Sequence, residues 1–176
     1  MPYLTIRIKK NKDGSASLAC VRGDGSSTWQ RQEGVLGAVF PPHDLSHYAV
    51  ETALGYDRAF FGLIAAGWEI SDFAAPWPQG PIPPEARQVE VLVGALDVDR
   101  MTGQKRSVAE FNEQVRFASS RDTGRVFVPR ELTEDELARV RHRLMEVFAQ
   151  WAAIEAGSTL ELAFGSISDG QALRDI

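Results

Sequence analysis

Cysteine is almost missing from this chain: Cys20 stands alone among 176 residues. One thiol closes no internal disulfide and builds no zinc cluster of cysteine ligands. Long apolar runs are missing too. The strongest, residues 59–68, is about half of the roughly 20 residues that a bilayer span needs. The opening MPYLTIRIKK lacks the charged start and apolar core of a secretory leader, so a cytoplasmic protein off the membrane is the expectation. Positive charge is not in excess: 19 Lys and Arg stand against 24 Asp and Glu, a net charge of -5. Phosphate affinity comes from clustered Lys and Arg, so general nucleic-acid binding is not expected. Internal repeats and low-complexity segments are also lacking.

What is present is a globular composition, 44% hydrophobic and 24% charged. The length suits one domain, residues 1–176, with its own core. Residues 3–9 alternate, with Leu4, Ile6 and Ile8 on one face and Thr5, Arg7 and Lys9 on the other. That period predicts a half-buried strand. Asp13-Gly14 turns the chain, and Ala16, Leu18 and Cys20 mark a second strand. Residues 27–32 suit a third, completing an antiparallel meander. Pro41-Pro42 then sets up a helix over 43–54, closed by Gly55. Asp57 is placed to cap a second helix running to about residue 73. Its surface is apolar nearly all round, which predicts a central position packed antiparallel to the first. A proline-rich stretch, 74–84, reads as a stiff loop. A third helix carries Val89, Leu92, Val93 and Leu96. Ser107 with Glu110, and Thr133 with Glu136, form two capping boxes that open further helices. The last carries a stripe of Leu137, Val140, Leu144, Val147, Phe148, Trp151 and Ile154, and Gly157 stops it. Residues 158–164 alternate again and suit a closing strand, and 165–176 read as a loose tail. The expected fold is α+β: a small antiparallel N-terminal sheet, joined by a C-terminal strand, packed against about five helices.

One stretch carries chemistry: His43-Asp44-Leu45-Ser46-His47. On a helical wheel at roughly 100° per residue, Leu45, Ala49, Val50, Ala53 and Leu54 share one face. His43, Asp44, His47, Tyr48 and Glu51 share the other. His43 and His47 are one turn apart, with Cβ atoms roughly 5–6 Å from each other, so both imidazoles can reach one ion. Glu51 continues the row as one candidate third ligand. Glu69 is the other, because an antiparallel second helix would bring it level with His43. In the first helical turn the dipole disfavours a charged His43 imidazole and favours an anionic Asp44, which is assigned as an orienting group or weak base. Zinc or another divalent metal is the cofactor this set implies.

HDLSH resembles the HExxH motif of zinc-dependent proteases, with Asp44 where the general-base glutamate would stand. Asp is one methylene shorter, which changes the reach to a bound water. HDxxH is also similar to the metal motif of a ubiquinone-biosynthesis family, but the further glutamate of that family falls here on Ala59. More widely, PPHDLSHYAVETALG followed by FFGLIAAG resembles uncharacterised small bacterial proteins with a PHDLxH…FFGL pattern. That resemblance implies kinship and no activity.

Other features are weaker. Arg139, Arg141, His142 and Arg143 read as a solvated face paired with Glu134, Asp135, Glu136 and Glu146, or else as an anion site. Trp68, Trp77 and Trp151 read as core and loop packing, with a pocket lining as the alternative. Cys20 reads as a small buried hydrophobe, and residues 23–26 as a hairpin turn without the lysine of a phosphate loop. Two functions remain open. One is a metal-dependent hydrolase or lyase of an unknown small molecule. The other is a non-catalytic interaction or regulatory protein, or a homodimer, in which the His/Glu face is merely polar surface.

Overall fold

Alternating residues build a four-stranded sheet. A computed structural model describes residues 3–120 and 128–165 of the chain. The tail expected beyond residue 165 lies outside the described residues. Strands β1 (Leu4–Lys10) and β2 (Ala16–Arg22) pair antiparallel, with Ile6 opposite Cys20. The turn between them is closed by Asp13, whose Oδ1 accepts from the Ser15 amide at 3.0 Å and the Ser15 hydroxyl at 2.7 Å. Gly14 supplies the positive φ this turn needs. Strand β3 (Ser27–Gln32) pairs with β2, and β4 (Thr159–Phe164) returns on the far side of β1. The order is β3-β2-β1-β4, all antiparallel. The period of two puts Leu4, Ile6, Ile8, Leu18, Cys20, Leu160, Leu162 and Phe164 on one buried face.

Among the described residues five α-helices complete the fold: α1 (Leu36–Leu54), α2 (Phe60–Ala65), α3 (Pro84–Thr102), α4 (Val108–Ser120) and α5 (Glu134–Ala153). The box at Thr133 and Glu136 opens α5 as the spacing predicts, and the Ser107–Glu110 pair does the same ahead of α4. Two apolar clusters form. In the first, the sheet face meets Leu45 and Tyr48 of α1, Phe61 and Ile64 of α2, and Val147 of α5. In the second, Ala49 and Val50 of α1 meet Val89, Leu92 and Val93 of α3, Phe111 of α4, and Val140 and Leu144 of α5. Helix α1 contributes to both, so it runs between the sheet and the other helices. None of the described helices is long and apolar enough to cross a membrane.

Two helix boundaries differ from expectation. Helix α1 begins at Leu36, not after Pro42, and holds Pro41 and Pro42 inside it. Its first turn packs onto the sheet: a Cβ on Gly37 would stand 2.9 Å from the carbonyl oxygens of Gln32 and Gly14. That close approach holds the extra turns despite the amide hydrogens that the prolines lack. The second helix is the shorter surprise. It ends at Ala65, and Gly67, at φ 109°, reverses the chain. The amides of Gly67 and Trp68 then donate to Ile64 and Leu63 carbonyls, which closes the helix end. A single 3₁₀ turn, Ile70–Phe73, follows. Asp57 caps nothing; the residue at the α2 N-cap is Ala59. What holds of the expectation is burial, since Phe61 and Ile64 are fully enclosed.

Truncating Phe61 to Ala should cost about 3–5 kcal/mol in a denaturant melt, the range for a buried aromatic. Trp29, which is 68% exposed, should cost less than about 0.5 kcal/mol on the same substitution. Burial also pushes the Cys20 thiol up to about 12, with the Asp44 charge nearby adding to the rise. A disulfide reagent at neutral pH should therefore leave native Cys20 unmodified and titrate it once the protein is denatured.

Candidate metal centre

The polar row of α1 is not a solvated face. Asp44, Ser46, His47 and Glu51 are all buried, enclosed by the neighbours of α1: β3 at Asp44, α3 at Ser46 and His47, and α2 at Glu51. A polar group in that position needs a partner, and each of the two imidazoles has a carboxylate behind it. His43 sets its Nδ1 2.9 Å from Oδ2 of Asp97 on α3. Asp97 also receives the Ser46 hydroxyl at 3.3 Å and approaches Arg100 at 3.5 Å. Burial pushes the Asp97 carboxyl up, but His43 and Arg100 outweigh it and hold the group below its ordinary value. An ionised Asp97 makes Nδ1 of His43 the protonated nitrogen and directs Nε2 elsewhere.

His47 lies one turn on, its ring 4.9 Å from that of His43 and nearly edge-on. Its Nε2 is 3.3 Å from Oε1 of Glu90 on α3, and its Nδ1 is 3.5 Å from Oε1 of Glu51. The second approach is electrostatic only, since Nδ1 has no hydrogen-bond partner. Burial disfavours the imidazolium here, yet Glu51 and Glu90 prevail and raise the His47 pKa to about 10. Glu90 is driven the other way: burial raises it, but His47 and His43 hold it below its ordinary value. One nitrogen from each histidine and one oxygen of Glu90 all lie within 4.8 Å of one another. His47 is enclosed, His43 is 30% exposed and the Glu90 side chain 54%, so the group opens to solvent on the α3 side.

The candidates for the third ligand fall elsewhere. Glu51 is fully buried and turned to α2, where its Oε2 accepts from the amides of Phe61 at 3.0 Å and Gly62 at 3.1 Å. It replaces the cap that Asp57 was assigned and stands behind His47 instead of beside His43. Glu69 pairs with Arg22 at 3.0 Å, and Arg22 also donates to the carbonyls of Ile64 and Trp68. The early end of α2 explains this: without its last two turns the chain bends to the sheet before Glu69. Asp44 faces β3, where its Oδ2 accepts from Gln32 at 2.9 Å, and burial pushes its pKa up to about 6. His43 sits two turns inside α1. The dipole argument for His43 and Asp44 therefore does not apply.

Glu90 and Asp97 had no place in the sequence reading. They lie two turns apart on α3, a spacing that puts them on one face, which meets the one-turn His43–His47 row across the helix pair. That spacing was the available signal, but only the packing of α3 on α1 joins the two rows. The basic run on α5 also pairs differently. Arg141 reaches Asp99 of α3 at 3.1 Å, and of the four acids assigned to the run only Glu146 is used, by His142 and Arg143.

Beside the histidines a cleft of about 510 Å³ is lined by Phe60, Phe73, Trp77, Ile82, Arg87 and Glu90, among others. Phe60 joins the two features, its ring 5.3 Å from that of His47. Trp77 thus lines a pocket, and it does so at φ 60°, a backbone region that bulky residues avoid. No protein-family model, curated protein or solved structure matches the chain.

The raised His47 pKa has a stability consequence. A group that binds its proton more tightly when folded stabilises the fold below its unfolded pKa and stops doing so above its folded one. Chelator-treated protein should therefore lose stability as pH rises from about 6.5 towards about 10. The His47→Leu variant should show a flatter profile over that window in urea melts at stepped pH.

Proposed function

We propose that the protein binds a divalent metal, zinc foremost, through His43, His47 and Glu90, and acts as a metal-dependent hydrolase or lyase of a small substrate. The observation that carries this reading is the carboxylate behind each imidazole. Asp97 stands at Nδ1 of His43 and Glu51 at Nδ1 of His47, which leaves both Nε2 atoms for one ion. An outer carboxylate hydrogen-bonded as Asp97 is fixes the tautomer and orientation of a metal-bound histidine, and Glu51 acts on His47 through its charge.

The distances support the reading. Donors bound tetrahedrally to zinc at roughly 2.0–2.1 Å lie about 3.3 Å apart. His47 Nε2 and Glu90 Oε1 are already 3.3 Å apart. The widest separation in the group, within 4.8 Å, closes with small rotations of the two more exposed side chains, His43 and Glu90. Three protein ligands leave a coordination position open, the pattern of catalytic rather than structural zinc. When bound, the ion would lower the pKa of a coordinated water towards about 7 and polarise a substrate oxygen. His47 exchanges its proton for the ion, and Glu51 and Glu90 balance either charge. The same two-histidine, one-carboxylate set also suits iron(II), which metal analysis of the purified protein distinguishes.

Zinc at a hundred times its dissociation constant should stabilise the fold by about 2.7 kcal/mol, read as a rise in melting temperature. His43→Ala, His47→Ala and Glu90→Gln should each remove that gain, whereas His142→Ala and Glu69→Gln should keep it. Asp97→Asn should weaken zinc affinity by about 10–100-fold, as loss of an outer carboxylate does. A zinc response that survives in Glu90→Gln and is lost in Glu69→Gln would reject this ligand set.

A further inference from the structure

The cleft beside the histidines differs from an ordinary apolar surface groove in its charges. Its walls come from α2 (Phe60), the 3₁₀ turn (Phe73), the proline-rich loop (Trp77, Ile82) and α3 (Arg87, Glu90). Glu90 is already committed to His47. Arg87 makes no side-chain hydrogen bond or ion pair among the described residues, although the cleft it lines is mostly apolar. A guanidinium at an apolar wall is poorly solvated and presents a planar fork that matches a carboxylate.

We infer that this cleft takes a small aromatic carboxylate, with its ring between Phe60, Phe73 and Trp77 and its carboxylate on Arg87. The inference rests on the metal reading for one point only, namely where the reacting bond lies. Arg87 and Glu90 are three residues apart on α3, which puts their Cβ atoms roughly 5–6 Å from each other. A carboxylate on Arg87 therefore lies in the cleft that the His43–His47–Glu90 group borders through Glu90.

Size and shape agree. At roughly 30 Å³ per water-sized group, 510 Å³ accepts a molecule of on the order of 15 heavy atoms. Phe60 and Phe73 pack with ring centres 4.8 Å apart, which gives a flat ligand an aromatic edge to lie against. Trp77, 46% exposed, lines the same cleft in its unfavourable backbone conformation. Bulky residues held in such a region gather at ligand sites, where the surroundings impose them. A cationic ligand would be repelled by Arg87, and the one carboxylate in the lining, Glu90, is engaged by His47. A neutral apolar ligand would leave the guanidinium unpaired on desolvation.

The test is calorimetric titration of the full chain with 3-phenylpropionate and with its neutral isostere 3-phenylpropanamide, zinc-loaded and after chelation. The acid should bind at least about tenfold more tightly than the amide, the expected return of a charge-assisted hydrogen bond. Arg87→Met should bind acid and amide alike, while zinc still raises its melting temperature, which shows that the variant is folded. Trp77→Ala should weaken both ligands together. Equal binding of acid and amide by the wild type overturns the assignment, as does full acid affinity in Arg87→Met, or zinc binding with no acid binding. Should zinc fail to bind while the acid still discriminates through Arg87, the metal reading falls and the cleft assignment stands.

Discussion

An imidazole enclosed between two carboxylates, His47 between Glu51 and Glu90, ties the sheet side of the molecule to its helical side. His47 and Glu51 would each be costly to bury alone, by several kcal/mol per ion, and they offset one another, with the half-exposed Glu90 on the other side of the ring. Glu51 receives the amides that open α2, so the position of α2 depends on it. Glu90 fixes the face that α3 turns to α1. The buried carboxylates of the polar row of α1 are partnered, Asp44 by Gln32 and Glu51 by the α2 amides, which lets α1 lie between the sheet and the helices.

That constraint also shapes the site. The partners that satisfy the buried row are the groups that orient it: Asp97 holds the His43 ring by Nδ1, and Glu51 stands at Nδ1 of His47. A set of groups that stabilises the fold and a set that presents two nitrogens to one spot are here the same residues. The cleft follows from the same geometry. Because α2 ends early, Phe60 and Phe73 come together at 4.8 Å, and the proline-rich loop closes over them with Trp77. A longer α2, running on through Phe73, would carry that ring along a helix instead of returning it to Phe60.

Much of the fold was legible because it is written in local period and local caps. Alternation marked three of the four strands, including the last, the turn before residue 27 marked the other, and the Thr133–Glu136 box and the Leu137–Val147 stripe marked α5. Errors arose where a local signal met a tertiary one. Pro41-Pro42 suggested a helix start, but the fit of Gly37 against the Gln32 and Gly14 carbonyls extends α1 before them. Apolar residues on both sides of Gly67 suggested one long helix, and the glycine ended it.

For the site, the sequence by itself determined that His43 and His47 share one helical face with Glu51 one turn further along the row, because spacing along a helix is a local property. It did not determine the third carboxylate. Glu69 was chosen on the premise of an unbroken second helix, and the break sends it to Arg22. Glu90 and Asp97 are more than forty residues from the histidines in the chain, and only the packing of α3 against α1 sets them at 3.3 and 2.9 Å. Nor could a polar row announce that it would be buried. An amphipathic helix reads alike whether its polar side meets water or meets partners, and which it meets is decided by the elements that pack on it.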